Sequence, residues 1–307
     1  MISDVDEVSF LPGHPVSYTT TQIVCYFNDQ KLASATAFVL QFAGQYGLIT
    51  NWHVLTGRSP IDGKCLSKTG GIPNNIKFHV VVSWPDADGP DKGETLFFKP
   101  MHIELYKDND FLDPIWFDDR DRNSQSDFCL ILLNDRIPEL KEAGSRLRAI
   151  QGGNVAISGE FASKPSLLEV PKEAVRRYYP AVGRQVFVVG YPVGISFSNV
   201  FPIWKGATIA SEPLVSTNLS GYITNEVFLV DGLTRSGMSG APVIRLLDPD
   251  EPLFTEGGGT VLGKNRDPLL LGVYAGREGV TTNEADLALG RVWKVGAIEE
   301  LFMKALN

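Results

Sequence analysis

Apolar residues along this chain gather in short runs rich in Val, Ile, Phe, Tyr and Thr, broken by Gly, Pro, Asn and Asp. The first half carries Thr21–Phe27, Thr36–Phe42, a turn at Ala43-Gly44-Gln45, and Tyr46–Thr50. Two longer runs follow, Ile76–Trp84 and Thr95–Tyr106, and then the apolar stretch Phe128–Leu133. β-branched and aromatic runs of this length between turn residues predict antiparallel strands in a barrel or sandwich. The pattern changes over 138–179, where Pro138–Ala149 reads as a short charged helix and Pro165–Tyr179 as a basic-flanked connector. Strand patterning resumes at Gly183–Pro192 and continues through Trp204–Ile209, Val227–Val230, Val243-Ile244 and Leu269–Tyr274. At the end, Ile298, Leu301, Phe302 and Ala305 recur at helical spacing, so Val295–Leu306 is expected to be one amphipathic helix.

Composition narrows this picture. With 307 residues, 43% of them apolar, the chain can bury substantial cores. A formal charge of -8 without any run of Lys or Arg argues against nucleic acid or an anionic membrane as partner. Met1–Glu7 is acidic and lacks the apolar core of a secretory signal, and no later run reaches membrane-spanning length, so a cytoplasmic location is expected. Cys25, Cys65 and Cys129 are too few and too scattered for a disulfide framework or a cysteine metal site. Cys25 and Cys129 lie in apolar runs and read as buried, inert thiols. No metal or cofactor is expected. Gly258–Lys264 imitates a phosphate-binding loop, but Asn265 stands where a Ser or Thr hydroxyl is needed and Asp267-Pro268 blocks the helix; it reads as a loop between strands.

Candidate chemistry centres on Gly237-Met238-Ser239-Gly240-Ala241-Pro242, a serine at the apex of a glycine-flanked turn before Val243-Ile244. A serine hydroxyl is a weak nucleophile and needs both a base and backbone donors for the developing oxyanion. Gly237 can adopt the backbone angles that turn its N–H, with that of Ser239, toward one small hole. His53 closes the run Leu48-Ile49-Thr50-Asn51-Trp52-His53 at a strand end, a setting that His14, His79 and His102 lack. Asp127 stands at the mouth of the apolar run that begins at Phe128, where it can be desolvated and aimed at a histidine. Asp118, Asp119, Asp121 and Asp135 read as solvated surface charges.

The order His53, Asp127, Ser239 across two β-rich halves resembles the trypsin-like (chymotrypsin-fold) serine peptidases in their compact bacterial form. Besides these segments, Gly190-Tyr191-Pro192 and Leu271-Gly272-Val273-Tyr274-Ala275-Gly276 match. Subtilisin-like enzymes and α/β-hydrolases carry their triads in other orders. The resemblance implies an all-β, mainly antiparallel fold of two six-stranded β-barrels with a C-terminal α-helix. Its parts would be an N-terminal barrel over 16–137 with a long 57–125 insertion, a linker over 138–179, a second barrel over 180–292, and a helix over 293–307. It also implies a cleft site with His53, Asp127 and Ser239 as triad, Gly237 and Ser239 N–H groups as oxyanion hole, and Leu271–Arg277 as the edge receiving an extended substrate.

Two departures carry expectations. The interval of 74 residues between His53 and Asp127 is long, so the 57–125 region is expected to overhang the cleft or meet a partner. Met238 precedes the serine in place of the aspartate that pairs with a newly cut N-terminus, so control would fall to a protein partner or ligand. The specificity pocket would be built from Asp231, Gly232, Leu233, Thr234 and from Gly272–Arg277. Leu233 occupies the place of the acid that selects Lys or Arg, and Tyr274 that of the histidine found in glutamate-specific relatives. An uncharged P1 residue, apolar or amide, is therefore expected, with an acidic P1 read by Arg277 as the alternative. A protein or peptide substrate is implied; a silent protein-binding module and an esterase with the same triad are the other readings.

Overall fold

The structure is a computed structural model that describes residues 13–67, 70–85, 94–108, 110–141, 145–152, 155–157, 176–219, 222–248, 251–255, 259–262, 268–277 and 289–307. After a one-turn helix α1 (Pro15–Thr19), capped by the His14 side chain, the first half lays down six strands. These are β1 (Thr20–Phe27), β2 (Gln30–Phe42), β3 (Gln45–Thr50), β4 (Asn75–Pro85), β5 (Glu94–Glu104) and β6 (Cys129–Leu132), with a short helix α2 (Trp52–Thr56) directly after β3. The strands pair in the order β5-β4-β1-β2-β3-β6, and every ladder along this path is antiparallel. Among the described residues, the outer strands share no ladder, and the segment between them forms single bridges, Tyr106 to Pro114 within itself and Phe117 to Leu130 of β6.

The second half is a closed barrel of β7 (Gln185–Gly190), β8 (Ile203–Ile209), β9 (Val227–Asp231), β10 (Pro242–Leu246), β11 (Pro268–Arg277) and β12 (Leu289–Lys294). Its order is β7-β8-β9-β12-β11-β10, again antiparallel throughout. Helix α3 (Val295–Leu306) ends the chain over the span its periodicity predicts.

Alternation along the strands sorts the side chains. Ile76, Phe78, Val80 and Val82 of β4 enter a first core with Ile23 and Cys25 of β1, while Lys77 and His79 face outward. A core wholly inside the second half packs Val186 and Val188 with Met238, Val243 and Tyr274. The largest shared core joins the halves: Phe38, Leu40, Ile49 and Phe128 meet Val189, Ile244, Val273 and Trp293, with Ile298, Leu301 and Phe302 of α3 as lid. Each half thus has its own interior, and a third one fixes their mutual placement.

Several local expectations change. In its described residues, Pro138–Ala149 is not one helix: a short 3-10 turn at Pro138–Lys141 is followed by a strand at Arg146–Leu147, which pairs with β4. Ile150–Gln151 pairs in parallel with β2, so residues 146–151 of the expected linker are part of the first sheet. Within 57–125, β4 and β5 pair residue by residue over their full length, and β4 pairs with β1, so the interval is long chiefly because it contains a structural hairpin. Asp119 is buried and bonded to Arg122 (2.6 Å), unlike the surface charge its polar neighbourhood suggests. Pro252–Thr255 and Thr260–Leu262 form an antiparallel pair, so the middle of the phosphate-loop imitation is a strand and not the expected loop, while its residues 258 and 263–267 lie outside the described residues.

Both apolar-run cysteines are fully buried. Burial pushes the Cys25 thiol up to about 12 and raises that of Cys129 well above its ordinary value, which keeps both protonated. Among the described residues, no helix is long and apolar enough to cross a membrane.

Candidate active site

His53 lies three residues beyond the strand end, in the first turn of α2. Asn51 is its N-cap, and Gly57 (φ 64°) ends it in the left-handed conformation, its N–H donating to the His53 carbonyl at 2.9 Å. Glycine takes that angle without strain, so Gly57 sets where the histidine-bearing turn stops.

Asp127 is 2% exposed and its carboxylate is committed to one residue. Oδ1 accepts the backbone N–H of His53 (2.9 Å), while Nδ1 of the same ring lies 2.8 Å from Oδ2 and 3.0 Å from Oδ1. This bidentate clamp fixes the imidazole's position and assigns the proton to Nδ1, leaving Nε2 with a free lone pair. Asn51, fully buried, donates from Nδ2 to the Asp127 carbonyl (2.6 Å), which ties the backbone of the acid to the base of α2. Burial lowers the His53 pKa, but the Asp127 charge and hydrogen bond outweigh it, and the net shift is upward.

Arg120 frames the same corner. Its guanidinium lies over the Trp52 ring, 4.0 Å from the centroid, and donates to the carbonyls of Ser126 (3.0 Å) and Pro60 (3.2 Å). It therefore joins the loops on both sides of Asp127 and His53 through a residue beside each.

Backbone bonds hold the serine turn. Gly240 N–H donates to Tyr274 O and Tyr274 N–H to Ala241 O, both at 2.9 Å, which locks the turn to β11. Thr36 N–H donates to Ser239 O (2.9 Å), and Thr50 Oγ1 donates to Thr36 O (2.8 Å). The turn is thus laid on the strand pair β2–β3, whose end carries His53. Ser239 keeps partial exposure, while Gly237, Met238 and Gly240 are buried.

Gly237 (φ 93°) and Gly240 (φ 84°) both occupy angles that side chains resist, and a Cβ on either would collide with a backbone carbonyl, Tyr191 O or Thr36 O respectively. Thr36 Oγ1 adds a second tie, donating to Gly237 O (2.7 Å) and accepting from Tyr191 N–H (3.1 Å). Val193 N–H donates to Ser236 O (2.6 Å), so the Tyr191–Gly194 segment braces the turn from the far side.

The pocket candidates divide. Thr234 and Tyr274 are buried and their hydroxyls are hydrogen-bonded to one another. Arg277 donates to the Thr234 carbonyl (2.7 Å). Leu233 is 57% exposed, and Ala275 and Gly276 are partly exposed. The remaining histidines lie elsewhere: His14 caps α1 and packs edge-on against Trp204, His79 faces outward from β4, and His102 pairs with Glu104 on the surface.

Thr36 and Arg120 escape a reading of motifs, because their importance is made by contacts far along the chain, and Tyr191 and Pro192 stand in a matching motif that gives no hint of their bracing role. Asn51 stands inside the His53 motif, and a polar residue followed by a short helix is the one signal that could have singled it out. Among the described residues, no group of three or more His, Cys, Asp or Glu side chains could hold a metal ion.

No family model and no curated protein matches the sequence. Among solved structures, the chain is similar to the Rv3671c protease of M. tuberculosis in its active form, with 15% identity and a TM-score of 0.44 over 94% of this chain and 81% of that one. It is similar to the thermostable serine protease AL20 from an extremophilic microorganism, with 13% identity and a TM-score of 0.43 over 95% and 98%. Deg5 gives 14% identity and a TM-score of 0.40 over 93% and 88%. TM-scores this modest, at identities this low, assign no activity, so the functional reading rests on the site itself.

Proposed function

We propose that the protein is a serine endopeptidase in which Ser239 is the nucleophile, His53 the general base and acid, and Asp127 the group that orients and stabilises the imidazolium. The observation that carries this reading is the two-point clamp of Asp127 on His53, at its backbone N–H and at Nδ1, on the strand end where the Ser239 turn is docked. Such a clamp selects the tautomer that can take a proton at Nε2, which is what an unactivated hydroxyl requires. The N–H groups of Gly237 and Ser239 would stabilise the oxyanion, a contribution worth about 3 kcal/mol per donor. The acyl-enzyme would then be released by water activated through the same histidine.

The P1 pocket would be uncharged. Thr234 and Tyr274 satisfy each other's hydroxyls, Leu233 offers apolar surface, and Arg277 is engaged by the Thr234 carbonyl. A P1-varied peptide library is expected to favour apolar or amide residues, with discrimination of about 10–200-fold per methylene. Cleavage confined to Lys and Arg would overturn this pocket.

The direct test is mass-spectrometric mapping of new protein ends made in lysate by the wild type and by Ser239→Ala. Ends present only with the wild type support an endopeptidase. Labelling of Ser239 by a fluorophosphonate with hydrolysis of simple esters alone would point to an esterase, and no labelling would point to a silent binding module.

A further inference from the structure

A cavity of about 260 Å³ lies outside the candidate catalytic site, between the outer face of the first sheet and the 191–200 segment of the second half. Its floor is one face of β4: Lys77, His79 and Val81 line it in succession. Residues four apart on a strand are separated by about 13 Å, so the floor runs from a cation at one end to an apolar residue at the other. Val81 belongs to a small apolar cluster with Tyr18 and Leu96, against which Phe98 packs, and Tyr18 and Phe98 also line the cavity. Among the described residues, none that lines the cavity is an acid. Burial lowers the His79 pKa, so at neutral pH the cation of this end is Lys77, whose ammonium lies over the Tyr26 ring, 4.8 Å from its centroid, at the margin of the cavity.

The roof of the cavity is also the brace of the serine turn. Tyr191 lines the cavity, and its hydroxyl lies within hydrogen-bond distance of the Thr20 carbonyl (3.1 Å) and the Val200 carbonyl (2.8 Å). Its own carbonyl abuts Gly237, and its N–H is held by Thr36 Oγ1. Gln22, another lining residue, reaches toward Gly194. The segment is held in unusual backbone: Val193 (φ 48°), Ser198 (φ 50°) and Asn199 (φ 64°) all have left-handed angles, which a β-branched residue such as Val193 rarely accepts. Strain of this kind persists only where surroundings enforce it.

We propose that this cavity binds a small amphipathic anion, an apolar group ending in a carboxylate, and that its occupancy steadies the Tyr191–Gly194 segment and with it the Gly237–Ser239 turn. The carboxylate would face Lys77 and the apolar group would lie toward Val81, Tyr18 and Phe98. The binding half stands on the cavity alone; the effect on catalysis rests on the peptidase reading.

The test uses the full chain carrying Ser239→Ala, with 3-phenylpropionate as probe and 3-phenylpropionamide as its uncharged twin. Calorimetry is expected to show saturable binding of the acid in the millimolar range or tighter, and the amide at least about 10-fold weaker. Lys77→Gln, on the sheet surface, should keep the melting temperature and lose the same factor. In amide NMR spectra, the acid should move the resonances of Lys77, His79 and Tyr191, and also that of Gly237.

Absence of saturable binding, equal binding of acid and amide, or unchanged affinity in Lys77→Gln would each overturn the site. Binding that leaves the Gly237 resonance unmoved would overturn the coupling. In the wild type the acid should raise kcat/KM for peptides by about 3-fold or more, the span of a weak allosteric coupling. If no hydrolysis occurs at all while binding and the Gly237 shift persist, the peptidase reading fails and the cavity stands.

Discussion

The two halves hold their parts of the site by different means. The first half, whose outer strands share no ladder among the described residues, positions His53 and Asp127 with side chains: the carboxylate clamp, the Asn51 amide and the Arg120 guanidinium. The second half, a closed barrel, positions Ser239 with main-chain bonds and two glycines at positive φ. A base must be oriented about its ring and tuned in pKa, and here the Asp127 carboxylate does both. A nucleophile presented on a turn needs a fixed backbone, and barrel closure supplies it. The comparison implies that substitutions in the first half alter chemistry first, whereas those in the serine turn alter chemistry and architecture together.

The largest expected effect tests whether the halves act as one device. Ser239→Ala and His53→Ala should each lower kcat by about 10⁴-fold or more, and the double variant should be hardly worse than either. Steady-state kinetics on a cleaved peptide measures this. More than a tenth of the wild-type rate in either single variant would break the assignment.

Next comes the glycine scaffold. Gly240→Ala sets a Cβ against the Thr36 carbonyl and Thr50 Oγ1 at an unfavourable φ, and should cost about 3 kcal/mol or more, with most activity lost. Gly44→Ala is the control: it shares a positive φ (76°) in the β2–β3 hairpin, but its Cβ would meet no described atom within 4 Å. That variant should cost only about 1 kcal/mol. Urea unfolding with unchanged m-values separates the two. Equal costs would mean that φ alone, and not the fit of the turn onto the first half, sets the penalty.

The site's parts were far easier to read than its supports. His53, Asp127 and Ser239 each sit at a junction between an apolar run and a turn, so local patterning exposes them. Thr36 does not: it stands within a strand, and its value comes from bonding Gly237 O and Tyr191 N across separations of 201 and 155 residues. The helix expected at Pro138–Ala149 failed because helical composition yields there to pairing of Arg146–Leu147 with β4. Asp119 looked solvated among neighbouring acids, yet Arg122, bonded also to Glu226 of the second half, draws it inward. The C-terminal helix was legible because its apolar stripe meets one continuous core.

A smaller effect probes the contact between the halves. Thr36→Val keeps shape but strips a buried hydroxyl from Gly237 O and Tyr191 N–H, leaving both polar groups without it. Loss of about 1–3 kcal/mol is expected, and Thr36→Ser should restore most of it. Because the Gly237 carbonyl is one of the two groups, kcat should fall more than KM rises. A pure change in KM would show that the bond supports the cleft but not the turn.

The smallest effect concerns protons and sets the two demands on His53 against each other. Burial alone would lower its pKa, and the Asp127 charge and hydrogen bond bring it above the ordinary value of about 6.5. A raised folded pKa means the charged pair contributes stability fully below the unfolded value, and that contribution is lost as pH rises through the folded value. Catalysis runs the other way, since only neutral His53 can take a proton. Activity should therefore climb through a single apparent pKa above about 6.5 and then level off while the pair's contribution to stability declines. Proton NMR of the His53 ring in Ser239→Ala reads the group without turnover, and adding Asp127→Asn leaves burial as the dominant influence. The expected result is a pKa above about 6.5 in the first variant and below it in the second. A value that does not fall when the charge is removed would show that Asp127 orients the ring without tuning it.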